Sequence, residues 1–264
     1  MPEKYWLYFQ FNKMNYQEYK PAAALAKYID AYWSVSTAAD CKPSIERIIP
    51  DTCADIIINL GSAVTANNED ETQLLPDKSY LVGTMTKFCD TRFTGGAKLI
   101  GIRFKPFALH TVLGIPLAGA TNKTIELGRT EFAFKNIITS KKAADIQNTF
   151  DTFFIKKLAT PDRIAWHFLE SIYQTNGTIS VQALAKKHFV TERQLERLCR
   201  LKAGITLKEL CKQVRFRNIV KELKHQGKNI SIDNMAFENG YYDHSHLAKE
   251  IKKYTGRTPA YYTS

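Results

Sequence analysis

Hydrophobic residues follow two different rhythms along this chain. Up to about residue 105 they come in short aromatic or β-branched runs: Tyr5–Phe11, Ile29–Ser36, Ile45–Ile49, Ala54–Leu60, Tyr80–Thr84 and Lys98–Phe104. Such runs, separated by turn-forming segments, predict strands. Asn67–Gln73 (NNEDETQ) predicts an exposed loop, and a short helix is expected after Pro106. Beyond residue 140 the spacing turns helical. Ile146, Phe150, Phe153, Phe154 and Leu158 form one stripe, and Pro161-Asp162 opens a second helix with Ile164, Phe168, Leu169 and Ile172 on one side. These two segments fit an interdomain brace, a dimer contact or plain intrachain packing. The expected fold class is α+β in two domains, a β-rich sandwich or cupin-like N-terminal domain and an all-α C-terminal domain.

The last ninety residues contain a repeat. Ile179-Ser180-Val181 recurs as Ile230-Ser231-Ile232, and Leu184-Ala185 as Met235-Ala236, at an offset of 51. One residue later the offset is 52, so that Leu195 meets Leu247, Arg197 meets Lys249, and Gly204-x-Thr206 meets Gly256-x-Thr258. Two copies are too few for a solenoid; they suit a small helical module used twice. In the first copy Ser180 caps a helix that buries Val181, Leu184 and Ala185. Thr191-x-x-Gln194 has the form of a capping box opening a second helix. That helix carries Leu195, Leu198 and Cys199 on one face and Arg193, Arg197 and Arg200 on another. In the second copy Ser231 caps the first helix, Gly240 supplies the turn, and Asp243 caps a helix with Leu247, Ile251 and Tyr254 inside and Ser245, Lys249 and Lys252 outside. Tyr241 and Tyr242 read as core and rim aromatics. Each copy therefore predicts a helix-turn-helix with a basic second helix. Between them, Thr206–Gln226 predicts one helix about 30 Å long at 1.5 Å per residue, close to the ~34 Å turn of B-DNA.

Charge agrees with this division. Residues 176–264 carry 17 Lys and Arg against 8 Asp and Glu, whereas residues 1–175 carry 20 against 18. A basic excess confined to the repeat points to a polyanion there. Five scattered cysteines (Cys41, Cys53, Cys89, Cys199, Cys211) read as reduced thiols, and only one histidine, His110, precedes residue 160. No metal and no cofactor is expected. No apolar run approaches the ~18 residues of a membrane span, so a cytoplasmic protein that leaves the membrane alone is expected.

Gly240–Tyr262 (GYYDHSHLAKEIKKYTGRTPAYY) resembles the C-terminal signature of AraC/XylS-type bacterial regulators, and Leu184–Thr206 (LAKKHFVTERQLERLCRLKAGIT) resembles their first helix-turn-helix. The resemblance implies a transcription regulator that is not an enzyme, with double-stranded DNA as its partner. It makes Arg193, Glu196, Arg197, His244, Ser245, His246 and Lys249 base-contacting; Arg200, Lys252 and Lys253 are expected on phosphates. Phe189 stands where the family has a turn glycine, Leu247 and Ile251 replace phenylalanines, and Thr263 replaces a final arginine. The resemblance also implies that a β-rich N-terminal half senses a small molecule. Ile48–Gly61 (IIPDTCADIIINLG) with Gly101–Ala108 (GIRFKPFA) looks like an N-terminal domain of some members.

The boundaries expected are 1–140 for the sensor, 141–175 for a helical linker or brace, and 176–264 for the DNA-binding domain. Effector-binding candidates are Trp33, Arg47, Asp55, Asn59 and Arg103, because arginine with carboxylate or amide groups on strands can orient a polar ligand. The two arginines favour an anionic one. Two further readings stay open: a constitutive DNA binder whose N-terminal half forms a homodimer, and a cysteine-dependent enzyme fused to a DNA-binding module. Cys41, Cys53 and Cys89 have no companion histidine nearby in sequence.

Overall fold

The computed structural model describes residues 14–67, 69–128, 145–158, 163–226, 232–259 and 261. Ten strands pair in two antiparallel sheets: β1 (Met14–Tyr19), β2 (Ile29–Thr37), β3 (Ser44–Ile48), β4 (Ala54–Asn59), β5 (Val64–Asn67), β6 (Glu71–Leu74), β7 (Ser79–Val82), β8 (Cys89–Phe93), β9 (Lys98–Phe104) and β10 (Thr124–Leu127). One sheet has the order β1-β2-β9-β4-β7-β10, the other β3-β8-β5-β6. This is the β-rich N-terminal domain expected.

The larger sheet is buried on both faces, which explains why β9 reads as a continuous apolar run rather than an alternation. Trp33, Val35 and Leu99 join Val64, Leu74, Cys89 and Phe93 of the smaller sheet in one core. Tyr32, Ile56, Ile100, Ile102 and Phe104 face outward into a second core, beneath α1 (Ala108–Leu113) and α2 (Asp145–Lys157). Gly101 lies opposite Trp33 in the register, and a Cβ there would sit 2.0 Å from the indole. Only glycine lets that ring lie flat across the strand.

The expected strands that lie within the described residues are present, shifted by a residue or two at their ends. The expected Asn67–Gln73 loop is a correction: Asn67 pairs with Glu71 and Thr65 with Gln73, so the segment closes the β5–β6 hairpin. β6 is an edge strand whose only buried residue is Leu74, and a strand solvated along most of its length carries little apolar signature. Tyr5–Phe11, Pro161-Asp162 and the Ser231 cap lie outside the described residues.

The remaining helices are α3 (Arg163–Gln174), α4 (Val181–Lys187), α5 (Glu192–Ala203), α6 (Leu207–Gln226), α7 (Ile232–Glu238) and α8 (His244–Thr255). They form two small cores that share α6. Its first half, Leu207 to Val214, packs with Leu184, Leu195 and Cys199. Its second half, Phe216 to Val220, packs with Met235, Leu247, Ile251 and Tyr254. The two helices expected as a brace go separate ways. The Phe150 and Phe154 side chains of α2 are fully buried under the larger sheet, beside Tyr32 and Phe104, each worth about 1.5–3 kcal/mol of burial. Phe168, Leu169 and Ile172 of α3 belong to the first helical core.

Candidate nucleic-acid interface and ligand cavity

The second helix of each helix-turn-helix unit starts at a cap made by its own sequence. Thr191 Oγ1 accepts from the Gln194 amide at 3.2 Å while Gln194 Oε1 accepts from the Thr191 amide at 2.8 Å, a complete capping box. Asp243 Oδ1 accepts from the His246 amide at 2.7 Å, and Ser180 caps α4 through the Ala183 amide. The two turns that precede α5 and α8 share one conformation. Phe189 (φ 54°) and Gly240 (φ 70°) are both left-handed, so the phenylalanine adopts the glycine geometry at a cost of about 1–2 kcal/mol for an L-residue.

With their inner stripes packed, both helices turn their basic faces outward. Arg193, Arg197, Arg200, His244, Ser245, His246, Lys249, Lys252 and Lys253 are all exposed. Neither Arg193 nor Arg197 has an ion-pair partner among the described residues. Glu196 is placed differently from the rest: half-buried, it lies 3.5 Å from the Leu207 amide at the start of α6 and 4.0 Å from Arg200. Lys253 bonds Glu209 of α6 at 2.8 Å, and the Tyr254 hydroxyl donates to the same carboxylate at 2.9 Å. The ring of His246 meets Tyr241 edge-on, and no group of metal-ligating side chains occurs among the described residues.

Between the two sheets lies a cavity of about 90 Å³. Val35, Ile57, Leu74, Phe93 and Leu99 make its apolar wall; Tyr16, Trp33, Asp51, Asp55 and Arg103 make one polar end. Arg103 is 1% exposed, with Nε 3.3 Å from Asp51 and 3.6 Å from Asp55. The Trp33 indole donates to Asp55 at 2.7 Å and stacks on Tyr16 at 6.4 Å. Burial pushes the Asp55 carboxyl up to about 7, against the opposing pull of Arg103.

Three of the five effector candidates, Trp33, Asp55 and Arg103, thus meet at this cavity. The other two do not line it. Asn59 is buried, but its amide bonds the Ser62 and Leu74 carbonyls and the Gly61 amide. Arg47 makes a two-pronged bond to Asp90 at 2.7 and 2.8 Å, lies 3.9 Å over the Phe88 ring, and reaches the Thr255 carbonyl at the end of α8. The preference for an anionic ligand therefore loses one of its two arginines.

Sequence reasoning missed the residues that join this cavity to the helices. Asp51 and Met85 line the cavity, and their carbonyls are gripped by α6: Gln213 Nε2 donates to Met85 at 2.8 Å, and Arg217 Nη1 to Asp51 at 3.3 Å. Gln213 and Arg217 are one helical turn apart. Arg217 also reaches the hydroxyl of Thr52, a left-handed residue with φ 75°. The barrel further holds the C-terminal end of the second helix in each unit. Leu117 N–H donates to Leu201 at 2.8 Å and Thr121 Oγ1 to the Gly204 carbonyl at 2.5 Å. At Gly256 a Cβ would lie 2.4 Å from Arg47 Nη1. No signal in sequence marks such contacts, because polar residues on the far side of a helix read as solvated.

A family model described as a helix-turn-helix domain matches residues 184–264, and one described as a domain of unknown function (DUF6597) matches residues 17–126. No curated protein matches the chain in sequence. Among solved structures, ToxT from Vibrio cholerae aligns with a TM-score of 0.50 at 11% identity, over 95% of this chain and 98% of that one. ToxT from Vibrio cholerae O395 bound to (E)-4-(8-methylnaphthalen-1-yl)but-3-enoic acid gives 0.49 at 11%, over 95% and 98%. Unsaturated fatty acid bound wild-type ToxT from Vibrio cholerae strain SCE256 gives 0.45 at 10%, over 84% and 94%. At 11% identity the first of these likenesses concerns the fold alone, here the pairing of a β-rich half with a helical half.

Proposed function

We propose that this chain, which ends in an AraC-type helix-turn-helix domain, is a sequence-specific DNA-binding transcription regulator whose hold on DNA depends on a small molecule in the cavity between its sheets. One observation carries the reading: two cavity-lining residues, Asp51 and Met85, hand their carbonyls to adjacent turns of α6. Because α6 is shared by both helical cores, a ligand that shifts either wall residue changes how the two reading helices sit relative to each other. Coupling of this kind typically amounts to about 1–3 kcal/mol, and it is reciprocal, so cognate DNA changes ligand affinity by the same factor.

On DNA, Arg193 and Arg197 are the base readers of the first unit. A guanidinium bonds guanine O6 and N7 in a bidentate manner, worth about 1–3 kcal/mol of discrimination. Ser245, His246 and Lys249 face the bases from the second unit, with His244 at the mouth of its helix. Arg200 and Lys252 neutralise phosphates, which adds affinity without sequence information. Glu196 supports the start of α6 and orients Arg200. Phe150 and Phe154 of α2 are packed inside the barrel core, which favours intrachain packing over a dimer contact for that stripe. The cysteine-enzyme reading is disfavoured by chemistry: burial pushes the thiols of Cys53 and Cys89 up, away from the reactive thiolate.

The test is selection of sites from a pool of random duplexes by the full chain. Enrichment of two short motifs about one helical turn apart, roughly 10 base pairs, supports the reading. A pool that stays random while binding persists would overturn it.

A further inference from the structure

The reading of the inter-sheet cavity as an effector site leads to a statement about ligand chemistry, and the following rests on that reading. We propose that the cavity takes a small organic ammonium compound, an apolar body bearing one protonated amine, rather than an organic acid. The charge count at the polar end is the first ground. Asp51 and Asp55 both face the guanidinium of Arg103, at 3.3 and 3.6 Å, and with Asp30 and Glu18 beside them four carboxyl groups gather around two guanidiniums, Arg103 and Arg217. The other cation expected nearby, Arg47, is committed to Asp90 and Thr255 elsewhere. An incoming carboxylate would be a fifth acid around two arginines. An ammonium group supplies the missing positive charge, and its three N–H donors suit two carboxylates.

The second ground is aromatic. Tyr16 and Trp33 line the same end, stacked at 6.4 Å, and ring faces attract a cation lying within about 6 Å. The rest of the wall is apolar, fitting an alkyl or aryl body. Size sets a limit: about 90 Å³ is less than the ~150 Å³ void that accepts benzene. A short chain fits as the cavity stands, and a longer one must displace Met85, whose unbranched side chain adapts readily.

Proton linkage supplies a further readout. The groups around Asp55 are Trp33 and Asp30 on β2, Asp51 on the β3–β4 loop and Arg103 on β9, with Tyr16 and Glu18 on β1 and Arg217 on α6 close to the same cluster. Burial holds the Asp55 proton on up to about pH 7, and an arriving ammonium must displace that proton. Its affinity should therefore rise with pH toward about 7 and level off above, while the amine itself stays charged until roughly pH 10.

Isothermal titration of the full chain with matched n-alkylammonium ions, n-alkanoates and n-alkanols of three to six carbons tests this directly. The expected result is at least tenfold tighter binding of the ammonium than of the alkanoate of equal length, with Asp55→Asn erasing that advantage. Alkanoates binding as well as ammonium ions, or no binding in any series, overturns the ligand class, and neither outcome requires a variant that folds. DNA affinity measured with and without saturating ammonium separates the two readings. Ammonium binding that leaves DNA affinity unchanged would overturn the gating reading and leave the ligand class standing. DNA affinity that responds to an alkanoate instead would do the reverse.

Discussion

The two helix-turn-helix units are built from one pattern yet held in different ways. Leu195 and Leu247 occupy the same place in the repeat, and both are buried. Capping, turn and C-terminal glycine recur, with Gly204 and Gly256 both left-handed. The outer faces differ. The first unit presents Arg193 and Arg197, which have no ion-pair partner among the described residues, and the barrel touches it through the buried Phe107 side chain, the Leu117 amide and the Thr121 hydroxyl. The second presents histidine, serine and lysine, ties Lys253 and Tyr254 to Glu209 of α6, and has Arg47 wedged against Gly256. Duplicating a module preserves its interior, since packing admits few solutions, while the surface is free to diverge. On this comparison we propose that the first unit carries most of the base discrimination.

The largest effect should come from the matched core changes Leu195→Ala and Leu247→Ala. Each is expected to cost about 2–5 kcal/mol in denaturant unfolding, and footprinting should lose the half-site of the altered unit first. Loss of both half-sites together in either variant would show that the units do not act separately. Next, Arg197→Ala should forfeit about 1–3 kcal/mol of preference at one base position, more than Lys249→Ala forfeits in the second unit. Equal losses on selected and random duplexes would remove Arg197 from base reading.

A smaller effect, about 1 kcal/mol, is expected at the turns. Gly240→Ala forces a side chain into left-handed backbone, with Thr178 only 3.3 Å from the new Cβ, and should destabilise. Phe189→Gly relieves the same strain at an exposed site and should stabilise by a little less, because glycine loses more entropy on folding. Thermal unfolding of the two variants should therefore shift in opposite directions. Smallest of all, Lys253→Ala should leave base preference untouched and reduce the slope of log affinity against log salt by about one unit if the lysine leaves Glu209 for a phosphate on binding. An unchanged slope would mean that it stays with Glu209.

Much of this molecule was legible in sequence wherever the interaction is local. The caps Ser180, Thr191 and Asp243 each bond an amide three residues ahead, and the stripes of α5 and α8 follow from a single helical period. The strands buried on both faces, β2, β4 and β9, declared themselves by composition. Short strands with solvated stretches did not: β1, β5, β6 and β10 bury one or two residues each and escaped notice, as did the short β8, whose buried residues alternate with polar ones. At the cavity, Trp33, Asp55 and Arg103 were found because charged or indole groups on apolar strands are conspicuous. Tyr16, Asp51 and Met85 were not, having nothing unusual about their neighbours in the chain.

The amino-acid order by itself settled which segments become helices, where they begin, and which faces turn inward, since those depend on contacts a few residues long. Only the tertiary structure decided that α2 covers the barrel while α3 joins the helical core, that Arg47 grips α8 instead of a ligand, and that Gln213 and Arg217 meet the cavity wall. Those outcomes depend on which surfaces meet between segments far apart in the chain. A polar side chain facing water and one facing a distant carbonyl look the same until the two halves dock.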